Sequence, residues 1–468
     1  MIHNKTIAIL MISICLLAAL TGCAGMINKE YQQPEVALPD QWLIQPETGE
    51  QVLATQQWWQ VFEDPQLDRL IELALTTNND LAAATIKVRK SRLSADLEAT
   101  NRTPDLSVSA SSGIKKDLEH GDRTESSGTT TSLSWELDLW GKLASSRDAA
   151  EWEARATAQD RAATALSLVG TTAGLYWQIA YLNQAIDTSK EGIAYTQRTL
   201  DLVKVKYDAG EVSRLDLLQA EQNVESQKAD LADLEQQMVE ARNALAVLFD
   251  QAPEHLMADP KRLIEMPMPA LDAGLPAAVL GSRPDLMAAE MRLRSTLADA
   301  NSTRASYYPN LSLTGALGTS STELFNFLQN PVASLGAGLA LPFVQWNEAK
   351  LNTRIAEADY EQAVVEFRQT LYEALQEVED ALSARKHYRI QEDALRRSLT
   401  LAEEAERVSE VRYTSGKTGV QDWLDQQETR RSADLALAKN RYNQLKNMMT
   451  LYQALGGDGT VAEEPQQE

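Results

Sequence analysis

The sequence predicts a mixed α and β membrane protein built from a duplicated helix-strand-strand-helix-helix unit. Each chain supplies four barrel strands and long α-helical hairpins, and three chains form a β-barrel continued by an α-barrel. Three observations lead there. One phrase recurs about two hundred residues downstream of itself; four short segments alternate apolar with polar residues; and one stretch, Asn347 to Tyr413, contains neither Pro nor Gly.

The repeat fixes the frame. VKYDAGEVSRLDLLQAEQ (205–222) and VRYTSGKTGVQDWLDQQE (411–428) place Tyr207, Gly210, Asp216 and Leu218 opposite Tyr413, Gly416, Asp422 and Leu424, each displaced by 206. The correspondence extends upstream. NDLAAATIKVR (79–89) answers to PDLMAAEMRLR (284–294), and TPDLSVSASSG (103–113) to YPNLSLTGALG (308–318). A period this long is a duplicated half, not a solenoid of short repeats. The expected organisation is a first repeat over 65–250, a Pro-rich linker over 251–281, a second repeat over 282–456 and a tail over 457–468.

Within each half the elements follow in order. A helix after Pro65 is expected to run to about Asn101, since Pro104 disfavours helix at the residue before it. Strands are expected near 104–113 and 129–139, then near 309–318 and 332–341. Leu133, Trp135, Leu137 and Leu139 alternate with Ser132, Ser134, Glu136 and Asp138, the period of a strand. Segments of about 9–11 residues match what a tilted strand needs to cross a bilayer, although a half-buried soluble hairpin alternates in the same way. Two long helices then follow in each half, with hairpin turns near 207–215 and 413–421 around Gly210 and Gly416. Leu231, Leu234, Met238, Ala241, Leu245 and Leu248 recur at spacings of three and four. Leu435, Ala438, Tyr442, Leu445, Met449 and Tyr452 do the same, the periodicity of coiled-coil packing.

Composition narrows the function. Lys plus Arg (44) against Asp plus Glu (67) leaves a net charge of −23, which repels phosphate backbones and argues against nucleic acid as a partner. Four scattered histidines form no metal-ligand spacing, and no nucleophile or phosphate-loop phrase appears, so neither a metal, another cofactor nor an enzyme is expected. Both cysteines lie within the first 23 residues. Lys5, an apolar run from Ile7 to Leu20 and then LTGC read as a signal peptide over 1–22. The cleavage site is either an ordinary secretory one or a lipobox that acylates Cys23. The second reading makes 23–64 a lipid-anchored segment and Cys23 the site of the only attached group, a covalent lipid.

Strands in lipid must pair every edge, because hydrocarbon offers no partner. Four cannot close on themselves, so the chain must pool strands with its own copies. Two copies would give eight strands and a filled interior; three would give twelve and leave a channel.

WWQVFEDPQLDRLI (58–71), GSRPDLMAAE (281–290) and both repeated turns resemble the TolC-like outer-membrane efflux proteins, specifically the lipoprotein branch that partners resistance-nodulation-division pumps. The resemblance covers essentially the whole mature chain. It implies a homotrimeric duct in outer-membrane lipid, reaching into the periplasm, through which a pump and a periplasmic adaptor protein pass drugs or other small solutes. By the same resemblance, Asp422 and Asp425 stand at the periplasmic pore constriction, where symmetry turns them into rings of negative charge. Asp216 and Tyr413 match gate-associated positions that bridge neighbouring hairpins. Thr418 stands where some members carry Arg, and PFVQWNEAKL (342–351) replaces a Gly-containing turn. Glu136 and Asp138 are expected to form an acidic collar in the lumen. The alternative is a periplasmic coiled-coil structural lipoprotein without a channel, and a more distant one is a carboxylate-based hydrolase.

Overall fold

The computed structural model describes residues 27–44, 57–121, 123–252, 259–269, 276, 281–322 and 330–457. Cys23 and the two phenylalanines of the 323–329 loop lie outside them. In chain order the elements are a 3₁₀ turn (Trp58–Phe62), α1 (Pro65–Thr77), α2 (Asn79–Thr100), β1 (Asp105–Lys116), β2 (Arg123–Leu137), α3 (Lys142–Asp208) and α4 (Arg214–Leu248). After the linker come α5 (Pro284–Ala305), β3 (Asn310–Ser321), β4 (Pro331–Ala340), α6 (Trp346–Thr414) and α7 (Val420–Ala454). The chain divides into two compact units. One takes residues up to Val36 with Ile86–Gln159 and Met287–Thr370; the other takes Ala37–Thr85, Asp160–Leu286 and the chain from Leu371 onward.

The first unit contains the sheet. Its four strands are antiparallel in the order β1-β2-β3-β4, so β1 and β4 are its edges among the described residues. β2 begins at Arg123, earlier than alternation alone suggests, because TESSG pairs with β1 residues out to Lys116. Directly paired residues share a face, and register sorts the side chains cleanly. Leu106, Leu133 and Leu335 lie in one row, Trp135 and Leu313 in another, and Leu137, Leu311 and Leu339 in a third. The intervening rows hold Ser107, Ser132 and Ser334, then Ser134, Thr314 and Gly336. Small residues on this second face are sterically required in places. A Cβ on Gly128 would sit 2.4 Å from the Thr319 carbonyl oxygen, and one on Gly336 would sit 2.9 Å from Thr314 Oγ1.

The two strand-to-helix bends differ, as the departure at PFVQWNEAKL suggests. After β2, Gly141 takes φ +75° and Asp138 caps α3; after β4, a 3₁₀ turn at Pro342–Val344 leads into α6 with no glycine.

The second unit explains the two N-terminal phrases. Trp58 stacks on Tyr452 with centroids 4.9 Å apart, and Phe62 meets Trp177 edge-on at 4.7 Å. Asp64 caps α1 through Gln66 and Leu67 N–H at 3.0 and 3.2 Å, with Pro65 in the first helical position where no N–H is needed. Its other oxygen accepts the Tyr176 hydroxyl at 2.8 Å. In the second phrase, buried Arg283 pairs with Asp285 at 2.6 Å and Glu377 at 2.7 Å and donates to the Ala454 carbonyl at 3.1 Å. Burial alone would raise the Asp285 carboxyl, but Arg283 outweighs it and holds that group below its ordinary range.

The single helix expected from Pro65 to Asn101 is instead two. Asn78 leaves the helix with ψ 129°, caps α2 by accepting the Leu81 N–H at 3.1 Å and donates to the Leu248 carbonyl at 3.0 Å. Asn78 thus does for α4 what Arg283 does for α7: each ties the end of a hairpin's second helix.

Candidate functional site

Both repeated turns lie in the second unit and are built alike. Gly210 and Gly416 adopt φ +75° and +69°, conformations that any side chain resists. Each closes its helix with two reaching bonds. Gly210 N–H donates to Tyr207 and Glu211 N–H to Lys206, at 2.9 and 2.8 Å; Gly416 donates to Tyr413 and Lys417 to Arg412, both at 2.9 Å. Nothing lies within 4 Å of a Cβ placed on either glycine, so backbone conformation alone demands them.

The tips then diverge. At the first, Ser213 caps α4 and Asp216 reaches back to Ser213 N–H at 2.9 Å and to its hydroxyl at 2.6 Å, a reciprocal capping box. At the second, Gly419 replaces the serine and no side chain caps α7. Asp422, the counterpart of Asp216, is exposed without that contact, and Asp425 is exposed beside Gln421, whose amide donates to it at 2.6 Å. Val420, Trp423, Leu424, Gln427 and Arg431 occupy the buried side of α7, so Asp422 and Asp425 share the opposite, outward side.

Between the tips is one apolar cluster: Leu200 and Val203 of α3, Ala220 and Val224 of α4, and Tyr413, Val420, Trp423 and Leu424 of the second hairpin. Trp423 stacks on Tyr413 at 5.4 Å and meets Tyr195 edge-on at 6.2 Å. Lys206 Nζ sits 4.5 Å over the Tyr413 ring, a cation–π contact across the hairpins. Burial, then the charges of Asp216 and Glu211, push the Tyr413 phenol above its ordinary value. Tyr413 and Asp216 therefore sense each other but share no hydrogen bond: Asp216 is committed to Ser213. Further along, polar rungs join the helices. Gln227 donates to Thr196 at 3.0 Å, Gln427 to Thr199 at 3.1 Å, and Arg431 bridges to Asp230 at 2.7 Å. Glu406 is buried against Arg430 at 2.6 Å; burial raises its carboxyl, with Arg430 and the Tyr195 hydroxyl opposing.

Environment separates the repeats. Tyr413 and Leu424 are 2% and 1% exposed, whereas their counterparts Tyr207 and Leu218 are 37% and 50% exposed. Trp423, Lys206 and Glu406 were not evident as tip residues from sequence. A Trp within a helix's first turn, between two carboxylates, is the signal that points to the first of them.

The expected acidic collar is corrected by local geometry. Both Asp138 oxygens accept N–H groups of Leu143 and Ala144, at 3.1 and 2.7 Å, which makes it the cap of α3. Glu136 lies on the small-residue face of the sheet, opposite Ser312, but is paired with Lys142 at 3.0 Å. Neither offers a free charge.

On the other face of the sheet, Leu106, Val108, Leu133, Leu317, Leu335 and Leu339 are all exposed. An antiparallel sheet with one open apolar face, one face of Ser, Thr and Gly, and two long helical hairpins in the same chain defines a channel subunit of the outer membrane. The chain belongs to the outer membrane efflux protein family, whose model matches residues 70–249 and 275–457. Toxin and drug export protein A of Aggregatibacter actinomycetemcomitans is 29% identical over 460 residues, spanning 97% of this chain and 98% of that one. Pyoverdine export outer membrane protein OpmQ of Pseudomonas aeruginosa is 29% identical over 465 residues, 96% of each. Among solved structures, the open state of the MtrE outer membrane channel of Neisseria gonorrhoeae aligns with a TM-score of 0.82 at 30% identity, over 92% of this chain and 98% of that one. The chain is an efflux channel of the outer membrane.

Proposed function

We propose that three copies form a twelve-stranded barrel continued by a ring of six hairpins, a passive exit duct for drugs or other small solutes. Cargo arrives from a resistance-nodulation-division pump through a periplasmic adaptor, and acylated Cys23 tethers each chain to the membrane. The observation that carries this reading is the sheet: its apolar side chains are exposed on one face and its two edges are open. Lipid covers such a face, and sister chains satisfy such edges. The printed names of the relatives, export of toxins, drugs and pyoverdine, support small-solute cargo.

Asp422 and Asp425 form the periplasmic constriction. Both are exposed on the side of α7 away from the tip cluster, where threefold repetition gives two stacked acidic rings. Such rings favour cations and oppose anions. The test is single-channel recording of the full-length lipoprotein in planar bilayers. Low, cation-selective conductance is expected, rising and losing selectivity in the Asp422→Asn/Asp425→Asn double variant. Absence of conductance in both proteins would remove the duct; unchanged selectivity would remove the carboxylates from the constriction.

A further inference from the structure

Away from the tips, the second unit holds a cavity of about 690 Å³ between α6, α7 and the extended segments around Leu43 and Met266–Met268. That volume is in the range of sites for drug-sized molecules. Its lining is divided. Leu43, Leu382, Met268 and Met448 supply an apolar wall, in which the unbranched methionines adapt to irregular shapes. Facing it are four cations: Arg385, Lys386 and Arg389 on α6, and Arg441 on α7. Glu392 is the one carboxylate among the lining residues, and it is already held by Gln444 at 2.8 Å and Arg396 at 2.8 Å. In a chain of net charge −23, a cavity with four cations to one acid is a local reversal of sign.

The cationic wall is held in place. Arg385 donates to the Pro269 carbonyl at 2.7 Å and to Met448 sulfur at 2.9 Å, and Arg441 donates to the carbonyls of Ile264 and Met266. The extended segment thus fixes two guanidinium groups through neutral acceptors, which orients them without cancelling their charge. Lys386 stands at the exposed rim and makes no ion pair among the described residues. A bound anion would meet preorganised donors and avoid the ordering cost of assembling them.

We propose that this cavity binds an amphiphilic organic anion, a carboxylate or sulfonate with an apolar body, its charge toward Lys386 and Arg441 and its body against Leu382, Met268 and Met448. This site is separate from the tips and does not depend on the subunit count proposed above. The probe is 8-anilinonaphthalene-1-sulfonate, titrated against the full-length protein in nanodiscs of zwitterionic lipid, with empty nanodiscs subtracted. One saturable site per chain is expected, competed by octanoate. Lys386→Glu should weaken binding by at least about tenfold, the scale of a charge-assisted hydrogen bond. Met268→Trp, which fills the cavity from a chain segment outside the helices, should abolish the site. Retained planar-bilayer conductance would show that both variants fold. Unchanged affinity in Lys386→Glu overturns the proposal, as does equal binding of a cationic naphthalene fluorophore or unchanged binding in Met268→Trp.

Discussion

Leu424 and Leu218 occupy the same place in the two repeats, and truncating each to Ala should weaken different things. Leu424 is 1% exposed inside the tip cluster, beside Trp423 and Val203, so Leu424→Ala removes a fully buried side chain and leaves a cavity. A cost of about 2–5 kcal/mol is expected, within the chain itself. Leu218 is 50% exposed in the single chain, so the same truncation should cost it roughly half of a full burial, about 1 kcal/mol. In the assembled ring, Leu218 gains the contact that Leu424 already has, and the loss then recurs at three equivalent interfaces. Hydrogen exchange of the tip peptides reads the first effect: amides at 420–428 should exchange faster in Leu424→Ala, and those at 214–222 much less so in Leu218→Ala. Native mass spectrometry across a detergent series reads the second, with Leu218→Ala lowering the detergent concentration at which the oligomer dissociates. The reasoning fails if Leu218→Ala leaves oligomer stability at the wild-type level, or if the two variants perturb tip exchange equally.

Other perturbations have equally definite signs. Trp423→Ala should loosen the tip by about 3–5 kcal/mol, and Trp423→Phe by less because an aromatic partner for Tyr413 remains, both read by exchange at 411–428. Gly416→Ala and Gly210→Ala should each cost about 1–2 kcal/mol from backbone strain alone, since no atom crowds the added Cβ, and Asn at either position should cost less; protease nicking at the turns ranks the three. Glu406 carries a carboxyl raised above its ordinary value, so the folded tip favours its neutral form. That contribution is fully present below the ordinary glutamate value and is lost as pH rises through the raised one. Tip exchange in the wild type should therefore slow on mild acidification from neutrality, and Glu406→Gln should flatten that slope.

Several features were legible in the sequence because they depend on neighbours along the chain. Strand alternation is one: period two reads directly as two faces, and Leu106, Leu133 and Leu335 fall into one row once the register is known. The turn glycines are another, since positive φ demands Gly at the twin positions. What was illegible depends on contacts distant in sequence. Nothing in TTNND announces a helix break, because what completes the joint at Asn78 is a carbonyl 170 residues away. Asp138 read as a lumen charge because its two acceptor bonds appear only when α3 starts where it does. Between these cases is Asp216. The spacing of Ser213 and Asp216 is itself a capping signature, and its absence at Gly419 separates Asp216 from Asp422 before any coordinates are seen.

The repeat itself is the strongest statement about assembly. Two hairpins of near-identical sequence could pack face to face as a closed pair, and equivalent residues would then be equally buried. They are not. Tyr413 and Leu424 are sealed against Leu200, Val203 and Ala220, while Tyr207 and Leu218 remain open to solvent along with Val205 and Leu215. This is the pattern of a head-to-tail contact, in which one hairpin's front meets the next hairpin's back and one unused front and one unused back are left over. Such contacts either continue without end or close by rotation, and strands bound in a single barrel force closure. The open front at Tyr207 and the open edges of the sheet are therefore two expressions of one incompleteness, and the same sister chain answers both.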